Sequence, residues 1–123
     1  MAMAANPRTA QYYAIKQGKT LVTLGYEFGR NPALLEAIDH FRTMLATDRA
    51  GDPLVWAQTQ TNLGLALWRL GQRESGSEKL EEAVAAYREA LKEFTSKAAP
   101  NQHDIAQQNM ASCLSLLEQR GKN

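Results

Sequence analysis

The chain has 123 residues, 44% of them hydrophobic, which is the size of one domain with enough apolar material to build a core. Fourteen basic and 13 acidic residues leave a net charge of +1, so no overall field favours nucleic acid or an anionic membrane. Cys113 is the single cysteine, which excludes an internal disulfide and favours a reducing compartment such as the cytoplasm. No window has the ~18 consecutive apolar residues of a membrane span.

Proline and glycine divide the chain into segments. We expect residues 1–6 to be a disordered start or a cloning remnant and residues 7–123 to form one domain. The spacing predicts five helices, over 7–28, 32–47, 53–70, 76–95 and 102–120. Their predicted starts combine a proline with an N-cap at Asn6, Asn31, Asp52 or Asn101, or use a capping box of Ser75 and Glu78. Their predicted C-terminal stops are Gly29, Gly71 and Gly121.

Hydrophobic periodicity supports each of these helices. Apolar residues recur at i, i+3 and i+4, which is a helical and not a strand pattern. The second helix has the stripe Leu34, Ala37, Ile38, Phe41, Met44 and Leu45, and the fourth has Leu80, Ala83, Val84, Tyr87, Leu91 and Phe94. The expected inner faces of the first and third helices are Leu21, Leu24, Gly25 and Phe28, and Trp56, Leu63, Gly64 and Leu67. The predicted fold class is all-α.

The sequence also contains an internal repeat. "TLGYEF" around Gly25 matches "NLGLAL" around Gly64, and "AIDHF" matches "AVAAY". In both second helices an alanine precedes an aromatic residue by four positions, and "NMASCL" begins a third copy with Ala111 in the glycine position. This alignment leaves seven extra residues in the second unit. It predicts two helical hairpins followed by one further helix.

The pattern resembles the tetratricopeptide repeat family, in its long-unit bacterial form. The matching positions are Leu24, Gly25, Phe28, Ala37 and Phe41 in the first unit, Leu63, Gly64, Leu67, Ala83, Tyr87 and Ala90 in the second, and Met110, Ala111 and Leu114 in the third. Met44 departs from the small residue expected in the first unit. The resemblance implies a right-handed stack of antiparallel hairpins, an α-solenoid of about two and a half units.

Gly64 costs its helix about 1 kcal/mol relative to alanine, so a packing gain should accompany it. We expect the bare backbone at Gly64 to contact the ring of Tyr87, and that of Gly25 to contact the ring of Phe41. Burial of such a ring contributes about 1.5–3 kcal/mol, which exceeds the cost of glycine.

No motif indicates catalysis, a cofactor or a metal. "QGKT" at 17–20 matches the end of a phosphate-binding loop, but the earlier glycine is replaced by Tyr13 and no strand precedes it. His40 and His103 lack a second ligand pair at metal-binding spacing, so we expect surface histidines. Cys113 has no activating base nearby in sequence, so we expect a small buried side chain. The interpretation is a protein that is not an enzyme.

A stack of this kind has a concave surface lined by the first helix of each unit, which suits a peptide or a partner helix. The resemblance implies that Asn62 and Asn109 hydrogen-bond a ligand backbone. The predicted peptide-binding residues are Lys19, Tyr26, Arg30, Gln58, Asn62, Leu65, Trp68, Arg69, Gln108, Asn109 and Ser112. Lys19, Arg30 and Arg69 would favour an acidic segment or a terminal carboxylate, although a solvated helix flank explains them equally.

Two alternatives stay open. Helix five offers more apolar residues than one face can bury, which favours self-association through this helix: Ile105, Ala106, Met110, Cys113, Leu114, Leu116 and Leu117. It would otherwise serve as a cap. A helical protein that binds or converts a small molecule is the remote third option.

Overall fold

A computed structural model describes residues 7–47 and 52–121, which form five helices and contain no strand. The helices are α1 (Pro7–Glu27), α2 (Asn31–Thr47), α3 (Pro53–Arg73), α4 (Glu78–Leu91) and α5 (Pro100–Gly121). The predicted all-α class and the five segments are confirmed. The expectation for residues 1–6, with the Asn6 cap, lies outside the described residues. Over the ranges given, none of the helices combines the length and apolarity that a membrane span requires.

Two predicted helix boundaries are confirmed by local hydrogen bonding and backbone geometry. Asp52 caps α3, because its Oδ1 accepts the Leu54 N–H at 2.9 Å while Pro53 occupies the first helical position. Gly29 has φ +67°, a left-handed conformation that glycine adopts without a Cβ penalty. It follows the last residue of α1, as expected of a C-terminal glycine.

Gly121 is the last residue of α5, as predicted, and the four remaining predicted boundaries are wrong. Gly71 does not end α3, which continues to Arg73. Asn101 lies inside α5, which begins at Pro100. The N-cap position of α4 is Ser77 and it makes no side-chain cap bond, so the box of Ser75 and Glu78 is not the start of that helix. Asn31 is the first residue of α2, and its Oδ1 accepts a hydrogen bond from Arg73 at 2.8 Å instead.

Each helix packs antiparallel on the next one along the chain. In addition α1 contacts α3 and α3 contacts α5, whereas no Cα of α2 lies within 8 Å of one in α4. An ion pair between Arg42 and Glu82 at 2.5 Å spans the wider gap between α2 and α4. The largest fully buried side chains lie between these helices: Tyr87, Phe41, Leu34, Leu67, Leu80 and Cys113.

The glycines mark where paired helices touch. A Cβ on Gly64 would lie 2.9 Å from Cζ of Tyr87 and 3.0 Å from both Cε atoms, so the predicted contact between this glycine and this ring is confirmed. The predicted partnership of Gly25 with Phe41 is wrong. Gly18 meets the Phe41 ring, and Gly25 meets the Leu34 side chain.

These contacts correct the register of the repeat. Gly71 meets Leu80, seven residues along each helix from the contact of Gly64 with Tyr87. The first hairpin has the same pair of contacts, in which Gly18 and Gly25 each lie 46 residues before their counterparts. The period is therefore 46 residues in both helices of the hairpin, and α3 reproduces α1 from its first proline to its last residue. The seven extra residues of the sequence alignment disappear.

The repeat continues into α5, which begins at Pro100, 47 residues after the first residue of α3, Pro53. Arg73, in the last turn of α3, donates to the carbonyls of Gly25 at 2.6 Å and Tyr26 at 3.0 Å. Arg120, in the last turn of α5, donates to the carbonyls of Gly76 at 2.7 Å and Gln72 at 3.3 Å. Arg73 binds carbonyls in the last turn of α1, and Arg120 binds one carbonyl in the last turn of α3 and one in the loop that follows it, where backbone acceptors lack helical partners.

Two aromatic residues differ from their expected places. Phe28 lies beyond the end of α1 and is 65% exposed, so it does not belong to the inner face of that helix. Trp56 is half-buried and lies outside the buried clusters, although the remaining α3 positions of its stripe are buried as predicted.

Candidate ligand-binding surface

The odd-numbered helices α1, α3 and α5 lie side by side and share one surface, here called the α1/α3/α5 face. It is defined by residues that line two depressions on either side of α3. They are Tyr12, Ile15, Lys16, Lys19, Thr20, Thr23 and Gln58 between α1 and α3, and Trp68, Gln72, Ala111, Ser112, Ser115, Leu116 and Gln119 between α3 and α5. Four of the predicted site residues, Lys19, Gln58, Trp68 and Ser112, line these depressions.

The depression between α1 and α3 has a volume of about 600 Å³. Its lining includes the apolar Ile15, the aromatic Tyr12 and the exposed residues Lys16 and Lys19. A neighbouring depression of about 320 Å³ shares Tyr12 and Ile15 with it and includes Asp52, whose carboxylate already caps α3. This arrangement can hold an apolar side chain next to a negative charge.

Asn62 does not present its amide to this surface, contrary to the sequence expectation. The residue is only 4% exposed, and its Oδ1 accepts a hydrogen bond from Gln58 Nε2 at 3.3 Å. Its Nδ2 is buried without a partner. A ligand would have to displace the Gln58 side chain to reach it.

Arg69 is the best-organised cation of the α1/α3/α5 face. Its guanidinium carbon lies 3.8 Å from the ring centroid of Tyr26 and 4.5 Å from that of Trp68. Nη1 also donates to Gln72 Oε1 over a long 3.4 Å. The structure therefore brings together three residues that the sequence had predicted for one surface, two on α3 and one on α1.

The remaining predicted residues are more scattered. Arg30 lies in the turn between α1 and α2, where its carbonyl accepts backbone N–H groups of α2. Leu65 is half-buried and packs against the core, while Gln108 is exposed on α5. Asn109 is half-buried near the hydroxyl of Tyr87.

The buried Tyr87 hydroxyl and Cys113 thiol are held neutral. Tyr87 Oη is buried and makes no hydrogen bond of ordinary geometry, although the Asn109 side chain lies close enough to interact with it. Burial and the adjacent Cys113 raise the pKa of Tyr87, and Asn109 and Arg69 lower it by less. Burial also raises the pKa of Cys113 to about 11, so the expected role of a small buried side chain is confirmed.

The alternative chemical motifs do not assemble into sites. Residues 17–20 lie within α1, with Gly18 against Phe41, so they form no phosphate loop. Both histidines are half-buried and not on the surface as expected. His40 Nε2 lies 2.6 Å from the carbonyl of Ala14, and His103 Nδ1 lies 2.9 Å from that of Phe94. Within the described ranges no three His, Cys, Asp or Glu side chains cluster as metal ligands would.

Sequence reasoning missed part of this surface. Tyr12, Ile15 and Lys16 line the larger depression but precede the segment in which the repeat was aligned. A period of 46 residues would have included them, because it pairs Lys16 with Asn62. Comparison of the chain with family models, curated proteins and solved structures finds no significant match.

Proposed function

We propose that this protein is a non-enzymatic scaffold that binds an extended polypeptide segment on its α1/α3/α5 face. The observation that carries the proposal is the pair of depressions on either side of α3. Together they give a groove-like surface built from three helices. Its lining is largely apolar or neutral, and its charged residues are Lys16 and Lys19.

The architecture that supports this function is a stack of tetratricopeptide-like hairpins. The 46-residue period, the repeated contacts of glycine with side chains of the next helix and the arginines at equivalent helix ends all favour such a stack. Contact of α1 with α3 and of α3 with α5, while α2 and α4 stay apart, favours a concave side on the odd-numbered helices. We assign about two and a half units.

Self-association through the terminal helices has weaker support. Ala57, Gly64 and Gly71 of α3 lie against α4, and the positions 47 residues later on α5 are Asp104, Ala111 and Glu118, all exposed. A second copy stacked there would have to cover two acidic residues. Ile105 and Leu114 are also exposed on α5. Asp104, Ala111 and Glu118 do not connect them into a larger apolar surface, because two of these three residues are charged.

The other end of the array also disfavours stacking of copies. Glu27 of α1 occupies the position of Arg73 and Arg120, which bind helix-end carbonyls. In a head-to-tail assembly its carboxylate would face the carbonyl end of α5, where negative charge is unfavourable. We therefore expect one mass in light scattering at 10 μM and at 500 μM, and a mass that doubles would favour self-association.

The proposed function is tested by selection from a library of random twelve-residue displayed peptides. The selected peptides are then measured against the wild type and Thr23→Trp, in which an indole fills the depression between α1 and α3 from an exposed position. Arg88→Trp on the exposed side of α4 is the matched control. We expect Thr23→Trp to weaken binding at least about tenfold and Arg88→Trp to leave it unchanged.

Two results would contradict the proposal. One is a selection that enriches no peptide over a surface without protein. The other is equal binding to the wild type and to Thr23→Trp, which would place the peptide elsewhere on the molecule.

A further inference from the structure

Arg69 differs from three other arginines of the described chain in what its guanidinium contacts. Arg73 and Arg120 donate to backbone carbonyls, and Arg42 pairs with Glu82. Arg69 contacts two aromatic rings and one amide oxygen, and over the described ranges no carboxylate lies within 4.0 Å of it. Among the residues that the structure describes, it is a half-buried cation without a counter-charge.

The rings of Tyr26 and Trp68 lie beside this guanidinium and restrict where it can move. A guanidinium carries five N–H groups, and the hydrogen bond from Nη1 to Gln72 uses one of them. A planar carboxylate matches that edge with two parallel hydrogen bonds. A half-buried guanidinium that has no carboxylate partner among the described residues therefore suits a carboxylate better than an apolar group.

A second positive site lies on the same face. Lys16 and Lys19 of α1 line the depression between α1 and α3, and Gln58 lines it from the α3 side. Gln58 and Arg69 are separated by eleven residues of one helix, or about 16 Å along its axis. An extended chain covers that distance in about five residues.

We propose that the α1/α3/α5 face selects acidic polypeptide segments, with Arg69 as the residue that determines this specificity. The inference rests on the proposed function and adds the chemistry of the ligand. One Asp or Glu side chain pairs with Arg69, and a second, about five residues away, lies between Lys16 and Lys19 next to an apolar side chain in the depression. Along α5 the lining is neutral, with Ser112, Ser115 and Gln119, so the charge preference is confined to the α1 side.

The experiment uses the displayed twelve-residue library, whose peptides have no free C-terminus, so that enrichment reports side-chain carboxylates. Selection is run on the wild type, on Arg69→Gln and on Arg88→Gln, an equal charge change on exposed α4. An enriched peptide and its Glu→Gln derivative are then titrated against each protein. Circular dichroism checks that all three are folded, and Arg69→Lys separates charge from planar geometry.

We expect the wild type and Arg88→Gln to enrich two acidic residues about five positions apart, and Arg69→Gln to enrich only the one that lies between Lys16 and Lys19. A Glu→Gln change in the peptide at the position that Arg69→Gln no longer enriches should weaken binding to the wild type by about tenfold and leave binding to Arg69→Gln unchanged. Arg69→Lys should give an intermediate affinity, because lysine keeps the positive charge but cannot make two parallel hydrogen bonds to one carboxylate.

Four results would overturn the inference. Enrichment of peptides without acidic residues would do so while leaving the proposed function intact, as would equal acidic preference in Arg69→Gln. Tight binding of a twelve-nucleotide thymidine strand, with no acidic peptide enriched, would reassign Arg69 to phosphate recognition. Failure to enrich any peptide would contradict both this inference and the proposed function of polypeptide binding on which it rests.

Discussion

Alanine at Gly64 tests the contact between α3 and α4 on which the packing of the second hairpin depends. A Cβ there would lie 2.9 Å from Tyr87 Cζ, whereas unstrained carbon contacts are about 3.5–4.0 Å. The ring must retreat by about 0.5–1 Å, yet it is fully buried. Overpacking of this kind costs about 1–3 kcal/mol, and better helix propensity returns about 1 kcal/mol. We expect Gly64→Ala to lower the free energy of unfolding by about 1 kcal/mol.

The sign of this effect should reverse when the ring is shortened. In a Tyr87→Leu background the distal ring carbons are absent, so Gly64→Ala should stabilise the protein by up to about 1 kcal/mol through helix propensity alone. Urea unfolding followed by circular dichroism measures the four proteins of this cycle. Gly76→Ala is the control, because a Cβ there meets nothing within 4 Å. Stabilisation by Gly64→Ala in both backgrounds would refute the assigned contact.

Three further predictions concern polar groups. Arg73→Met should lower the free energy of unfolding by about 1–2 kcal/mol, because three acceptors lose a charged donor, while Arg88→Met should change it by less than about 0.5 kcal/mol. Asn62→Leu should raise thermal stability, because a buried donor without a partner costs about 1–3 kcal/mol and the lost bond to Gln58 contributes only about 0.5–1.5 kcal/mol; a lower melting temperature would contradict this. Since burial raises the pKa of Cys113 from 9.0 to about 11, its contribution is present below pH 9 and is lost as pH rises towards 11. Melting temperatures of Cys113→Ala should therefore fall less steeply than those of the wild type over that interval.

The helices and one inter-helix contact could be predicted from the sequence because both depend on local spacing. Proline and apolar periodicity locate five segments, and the ring that meets Gly64 follows from the spacing of Ala83 and Tyr87. The partner of Gly25 could not be settled in the same way. Gly18 and Gly25 are seven residues apart, almost two full helical turns, so both lie on one face of α1 and either satisfies the pattern. Only the tertiary contact shows which glycine meets Phe41.

A cue to the correct register was nevertheless present in the loops. Gly25 precedes Ala37 by twelve residues, and Gly71, rather than Gly64, precedes Ala83 by the same number. Its place after a periodic segment is also typical of a helix end, but Gly71 is buried in α3 against Leu80. The contacts of Arg73 had no such cue, because their partners lie more than 40 residues away and are mostly backbone carbonyls.

The candidate surface was predictable in outline and not in detail. Assignment of the odd-numbered helices to one surface follows from the repeat, but exposure at a given position depends on neighbours that the sequence does not reveal. Asn62 is an example, because Gln58 covers it from the preceding turn. The contact of Arg69 with Tyr26 is another example, because it joins α1 and α3. The sequence alignment of these two helices differs from the structural one by seven residues.

Amide chemical-shift mapping of the ¹⁵N-labelled protein with a selected twelve-residue peptide tests the central claim most directly. The account predicts that the largest shifts fall on the α1/α3/α5 face, at Lys19, Gln58, Arg69 and Ser112, with little change at exposed positions of α4 such as Arg88. Shifts concentrated on α2 and α4 would contradict it, since they would place the ligand on the opposite side of the molecule.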